Sequence, residues 1–435
     1  MQKNLGLKEL IAIAIGGMVG GGIFTILGIS VSMVGFLAPF AIALGGVVAL
    51  FAAYSYVKLG VYYKDEGATY AFFKRTYPNS HWAASFIGWY TIFGYISTLA
   101  LYAYTFSSYA ISGSDFAHNE IVRKVVAIAI IALFALINLW SVKGMGEIED
   151  IMVYVKIVIL LVISAALIYF GKVDMHTFIQ TLQNDFAKSS FMHILIVSSV
   201  TFVAYEGFEL VINAVKEMDN PDKNIPRAIY SAVFLVASIY FIIALGAVLS
   251  IPVEDLIKNK EYALASGAYD IMGNLGRDLV IVGAVLATSS AISGTIFGSS
   301  RQMARIAYDG YLPKILTKRR GTIPTNAILA MAATASILIL SGGLRLILEF
   351  GSITFLLLSL LMAVANFKIR KKTNSSSFFT LVAIFGLAIG SIIILWYEYK
   401  TKPEQMAFIV AIYALLTIGA YTYSKIKGKE DEKKA

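Results

Sequence analysis

Three clusters of residues in this 435-residue sequence carry chemistry in settings where polar groups are costly. Lys156 stands in "IEDIMVYVKIVILLV" and is the basic residue we place fully within a long apolar run. Glu206 and Glu209 stand in "TFVAYEGFEL", residues 201–210, flanking Gly207 in a second apolar run. A carboxylate at the centre of a bilayer costs about 2.5–3.5 kcal/mol on insertion scales, so both acids are expected to face protein. The third cluster is "GGMVGGGIF", residues 16–24, with five glycines in seven positions. Each costs roughly 0.8–1.0 kcal/mol relative to Ala in a helix interior.

A helix broken at such glycines releases N–H and C=O groups that cannot stay unpaired in hydrocarbon. The N–H groups at Gly20, Gly21 and Gly22 would open the following half-helix, whose positive dipole end favours an anion. Glycine also lets a ligand approach the main chain directly. Carbonyls of the preceding half-helix can accept from an ammonium group. One break thus offers an anion cradle beside a cation cradle, which suits the two ends of an amino acid. Close packing is the simpler use of the same residues, since Gly16 with Gly20 and Gly17 with Gly21 satisfy the GxxxG pattern. Packing alone requires neither five glycines nor a matching break in a later span.

Other chemistries find little support. The chain has no cysteine, which excludes disulfides, zinc–thiolate sites, iron–sulfur clusters and a cysteine nucleophile. His81, His118, His176 and His193 are scattered without metal-ligand spacing, and no HExxH, nucleophile elbow or Walker loop occurs. We therefore expect no enzyme, no metal and no cofactor.

The elements that must position these groups follow from composition. Of all residues 58% are hydrophobic and 14% charged, against roughly 25% charged in soluble domains, so the chain belongs in a bilayer. The first segment reads as a mature span and not as a cleaved signal peptide. Taking apolar runs of about 20 residues as spanning helices gives twelve, at 8–32, 36–61, 82–112, 125–142, 150–170, 190–215, 227–250, 278–306, 325–341, 345–366, 378–397 and 405–424. Residues 171–189 and 251–277 read as short helices on the outer surface. Spans one and six are both interrupted, and each opens a block of five. That pattern predicts an all-α inverted-repeat transporter, with repeats at 1–170 and 190–366, further spans at 378–424 and a solvated tail at 425–435.

Lys and Arg crowd one set of loops, including Lys64, Lys74, Arg75, Lys143, Lys216, Lys223 and the run from Lys314 to Arg320. By the positive-inside rule both termini are cytoplasmic in the cell membrane. The net charge of +9 then reflects topology and lipid headgroups, not nucleic acid. Arg301 and Arg305 read as cytoplasmic anchors, and Tyr95 as a candidate wall of a substrate pocket.

The residues also resemble a known family. "GGGIF" at 20–24 is similar to the G-S/G-G-I-F signature of amino acid–polyamine–organocation transporters. "FVAYEGFE" at 202–209 resembles their sixth-helix motif, "EMDNPDKNIPRAI" at 217–229 their following loop, and "SSRQMARIAYDGYLP" at 299–313 their eighth-helix ending. The closest resemblance is to prokaryotic proton-coupled transporters of broad specificity. It implies the five-plus-five leucine-transporter fold, with Gly20, Gly21 and Gly22 on the substrate carboxylate. The carbonyls of Met18, Val203 and Glu206 would take the ammonium, with Phe202 as an aromatic lid. Gly21 departs from the serine of many members and Glu206 from their neutral residue.

Lys156 has two readings. It lies about six residues, roughly 9 Å, from the cytoplasmic end of its span and can snorkel to headgroups. Alternatively, desolvation weakens a lysine's hold on its proton, and a lysine that alternates between charged and neutral replaces a sodium ion. The resemblance favours the second reading, because a lysine here occupies a sodium-site position between spans one, five and eight. Gly17, Ser289, Ser290 and Ser293 are the ion-site-like partners. Proton coupling is expected over sodium coupling, with Lys156 ahead of Glu209 and then Glu206 as carrier. With no charged residue committed to a side-chain pocket, neutral amino acids are the expected substrates. Exchange in the same fold is the alternative, ahead of a channel or intramembrane enzyme. The last two spans lie outside the repeat and are available for a homodimer.

Overall fold

The computed structural model describes residues 5–140 and 145–432, with side chains in the second stretch from residue 152 on. Lys143 and the last two lysines of the chain fall outside the described residues. The chain is all-helical: α1 (Leu7–Met18), α2 (Gly22–Val34), α3 (Ala38–Tyr63), α4 (Ala68–Thr76), α5 (His81–Ile111), α6 (Glu120–Trp140), α7 (Met145–Tyr169) and α8 (Met175–Lys188). Then follow α9 (Phe191–Val200), α10 (Pro221–Ser250), α11 (Val253–Lys258), α12 (Ala263–Tyr308), α13 (Thr325–Ser341), α14 (Leu344–Lys368), α15 (Ser377–Thr401) and α16 (Pro403–Glu432). Between α9 and α10 the chain runs in two 3-10 stretches, Phe202–Tyr205 and Phe208–Ala214.

Among the described residues, eight helical stretches are long and apolar enough to cross a bilayer, or nine with the bent pair formed by α9 and the 3-10 stretch after it. The count differs from that of apolar runs because a run and an unbroken helix are different objects. The first run is split into α1 and α2, of 12 and 13 residues, and α13 has only 17. Meanwhile α2 and α3 count together as one 42-residue apolar stretch, though the 3-10 turn Gly35–Leu37 separates them. The pair at the second break bends by 48°.

Polar residues set several helix ends. The Ser80 side chain accepts from Ala83 N at 3.1 Å to start α5, and Asp174 accepts from Thr177 N at 2.9 Å to start α8. Gly35, at φ +55°, turns the chain from α2 toward α3. Short helices occupy both segments read as surface connections. The α8 helix packs under this turn, with Asp185 accepting from Phe36 N at 2.9 Å. The second segment forms α11 and the start of α12, which breaks direction at Gly273, φ +64°. Residues 425–432 continue α16, and Lys427 bonds Asp431 at 2.9 Å one turn on.

The core lies where α3 packs on α10 and α5 packs on α12, with α1, α2 and the 3-10 stretches threaded between them. Small residues permit this closeness: a Cβ on Gly46 would sit 2.7 Å from that of Ala237, joining α3 to α10.

Candidate functional site

Both interruptions fall at the centre of the bundle and touch. A Cβ on Gly17 would lie 2.7 Å from Gly207 O, and one on Gly207 would lie 2.5 Å from Gly17 C. Gly207 also has φ +112°, a conformation open to glycine and strained for other residues. These two positions require glycine for close backbone approach. Gly20, Gly21 and Gly22 are equally enclosed, by Tyr102 and Ala291, by Thr105, and by Ala204 and Tyr240.

The end of α1 presents consecutive carbonyls, and three other helices supply donors to them. Lys156 of α7 is fully buried, and its Nζ donates to Gly16 O at 3.0 Å and Val19 O at 2.6 Å. Tyr102 of α5 donates to Gly17 O at 3.3 Å, and Tyr240 of α10 to Met18 O at 3.1 Å. Gly20 N also bonds Met18 O at 3.1 Å. Gly21 and Gly22 lead into α2, where the first turn of a helix leaves N–H groups without intrahelical partners.

The second interruption is held by acceptors. Glu209 receives Gly207 N at 3.0 Å and the Tyr95 hydroxyl at 3.1 Å. Ser352 of α14 accepts from Val203 N at 3.3 Å and donates to Val200 O at 2.5 Å. The Val203 carbonyl takes Glu206 N at 3.2 Å. The Glu206 carboxylate is buried near Tyr56 and Ser359, and neither oxygen completes a hydrogen bond among the described residues. Phe202 is fully enclosed at the start of the 3-10 stretch. Ser289, Ser290 and Ser293 lie on the buried face of α12, which packs against α7, and Ser290 lines the cavity described next.

A vestibule of about 1410 Å³ leads to this centre from one end of the bundle. Its inner wall includes Gly16, Gly17, Leu210, Ser290 and Ala291, and its mouth includes Lys64, Arg75, Lys216, Arg301 and Arg305. Both ends of the described chain lie at this mouth. Leu5 N bonds Glu217 O at 2.7 Å, and His81 meets Asp431 of α16 at 3.8 Å. Gln302 and Gly67 O lie across the mouth, 3.4 Å apart, and Asp309 holds both Tyr70 and Lys74 at 2.8 Å.

Sequence reasoning missed Tyr102 and Tyr240. Tyrosine is common in this chain, and neither residue has a spacing that marks it as a partner of helix one. Arg301 and Arg305, read as anchors, line the vestibule.

Comparison with known proteins agrees with this architecture. The chain is 28% identical over 421 residues to an inner membrane transport protein of Escherichia coli, covering 96% of this chain and 95% of the relative. It is 25% identical over 458 residues to an aromatic amino acid permease of Lactococcus lactis, covering 98% and 97%. A serine/threonine exchanger of Bacillus subtilis is 26% identical over 321 residues, covering 72% and 70%. Residues 5–421 match the family described as amino acid permease, whose members are transporters and not enzymes. Buried broken helices, a vestibule that reaches them and a match across nearly the whole chain lead to one assignment: the chain belongs to the amino acid permease family.

Proposed function

We propose that this permease is a proton-coupled symporter of neutral amino acids, working by alternating access in the cell membrane. The observation that carries the reading is the Lys156 ammonium, bonded to Gly16 O and Val19 O at the end of α1, where the first break begins. Charge-assisted hydrogen bonds are roughly twice as strong as neutral ones, so loss of the proton would release the end of α1. The substrate carboxylate would meet the N–H groups of Gly20, Gly21 and Gly22. Its ammonium would meet carbonyls at Met18, Val203 and Glu206, under Phe202, with Gly17, Ser289, Ser290 and Ser293 around the proton site. Glu209 is the second candidate for the proton.

Twelve spans in a five-plus-five inverted repeat are part of this reading. The dominant packing pairs support it, since α3 with α10 and α5 with α12 hold equivalent places in the two blocks. Basic residues at the vestibule mouth support a cytoplasmic placement of that end and of both termini. Two relatives are named for aromatic amino acids and for serine and threonine, side chains without charge, which supports the substrate class. The exchanger among them also favours a second reading, obligatory exchange.

Purified protein in liposomes tests both. An acid-outside pH gradient should drive saturable accumulation of labelled alanine or serine without sodium. Uptake that needs internal amino acid and ignores the gradient would establish exchange instead, and a sodium requirement would remove the proton reading. Agmatine or putrescine, which lack the carboxylate, should compete poorly.

A further inference from the structure

The charges at the vestibule mouth are mostly paired, and the exceptions gather at one place. Lys64 meets Asp222 at 2.8 Å, Arg75 meets Asp65 at 2.6 Å, and Lys216 meets Glu66 at 2.9 Å. Asp309 is held by Lys74 at 2.8 Å, which leaves Arg305 at 3.6 Å from the same carboxylate. Arg301 and Arg319 have no carboxylate within ion-pair distance among the described residues. Their charges nonetheless bear on each other, an arrangement that costs energy unless an anion lies between. Arg301 is also held in place: its guanidinium stacks 3.4 Å from the Phe297 ring centre, and Nη1 donates to Phe297 O at 2.9 Å. An arginine has five N–H donors, and its others have no protein acceptor here.

A second cavity of about 280 Å³ adjoins the vestibule. It is lined by Ala304, Arg305, Tyr308, Thr317 and Arg319, so Arg305 and Arg319 face both spaces. Tyr308 is 79% exposed beside them, as aromatic residues are at a membrane–water boundary.

We propose that Arg301 and Arg305, in the last turns of α12, and Arg319, just after the turn at 314–317, form a binding site for a phosphate group at the vestibule mouth. Arginine suits this ligand because its planar fork matches phosphate oxygens bidentately. The phosphate comes from an anionic lipid headgroup of the adjacent leaflet or from a soluble phosphate compound. Both present the same oxygens to the same guanidinium groups.

Thermal unfolding of the whole protein in neutral detergent tests the site, with inorganic pyrophosphate and short-chain phosphatidylglycerol as separate probes. Either probe should raise Tm by about 2 °C or more at saturation, with the gain shrinking as salt rises. A response to the lipid alone assigns the site to a headgroup, and a response to pyrophosphate alone to a soluble ligand. Arg319→Gln, at an exposed residue, should lose at least half of the gain, and adding Arg301→Gln should abolish it. If the double variant does not fold, Arg319→Gln decides alone. Lys314→Gln, which removes an equal charge from an exposed pair nearby, should keep the full gain. No shift with either probe, or an undiminished shift in Arg319→Gln, overturns the proposal.

Discussion

The two interruptions meet at one point of the bundle, yet they are stabilised in opposite ways. At the end of α1 the groups that need partners are carbonyls, and three other helices supply donors: α7 with Lys156, α5 with Tyr102 and α10 with Tyr240. At the second interruption the chain largely closes on itself. It tightens into 3-10 turns, and Glu209 reaches back to Gly207 N within the same loop. The first break therefore depends on groups that belong to the surrounding bundle. The second carries most of its own support.

The largest expected effect tests the first half of that contrast. Lys156→Met keeps the length of the side chain and removes its donors, leaving Gly16 O and Val19 O buried with lost bonds. A buried polar group left unpaired costs about 1–3 kcal/mol, so the variant should melt lower in detergent. Uptake driven by a pH gradient should fall to background while the protein remains folded. If pH-driven uptake survives, the first interruption does not carry the proton and the contrast fails.

How far the sequence alone reaches can be judged on the same residues. Glycine runs and misplaced charges announce themselves in an apolar chain, so the two breaks, Lys156, Glu206 and Glu209 are legible in the sequence. What spacing cannot show is which donor meets which carbonyl. Tyr102 and Tyr240 lie among many tyrosines, and only the packing of α5 and α10 brings them to Gly17 and Met18. The run at 8–32 reads as one span interrupted at its glycines, and its backbone is two short helices joined at Val19–Gly21. The charged end of the chain reads as solvated, and there Lys427 and Asp431, spaced by one helical turn, extend α16.

A smaller effect tests the self-supported interruption. In Glu209→Gln the one amide oxygen can accept from either Gly207 N–H or the Tyr95 hydroxyl but not both, so one of these donors loses its acceptor. We expect a loss of about 1–3 kcal/mol in stability from the donor left over. Uptake should slow but remain driven by the pH gradient. A variant of normal stability that has lost its response to the gradient would move the proton to the second interruption and invert the comparison.

The smallest effect separates the donors around the first break from one another. Tyr240→Phe removes one bond to Met18 O, and that carbonyl keeps Gly20 N at 3.1 Å. Only the net worth of a neutral hydrogen bond is lost, about 0.5–1.5 kcal/mol, measurable as a small drop in Tm. Tyr102→Phe should cost less still, because its bond to Gly17 O is longer at 3.3 Å. Neither change touches a charge, so the pH dependence of uptake should be that of the parent protein. If either phenol proves as important as Lys156 for pH-driven uptake, the end of α1 is held by a hydrogen-bonded network acting as a unit. The lysine would then be one member of it and not the group whose protonation releases the helix.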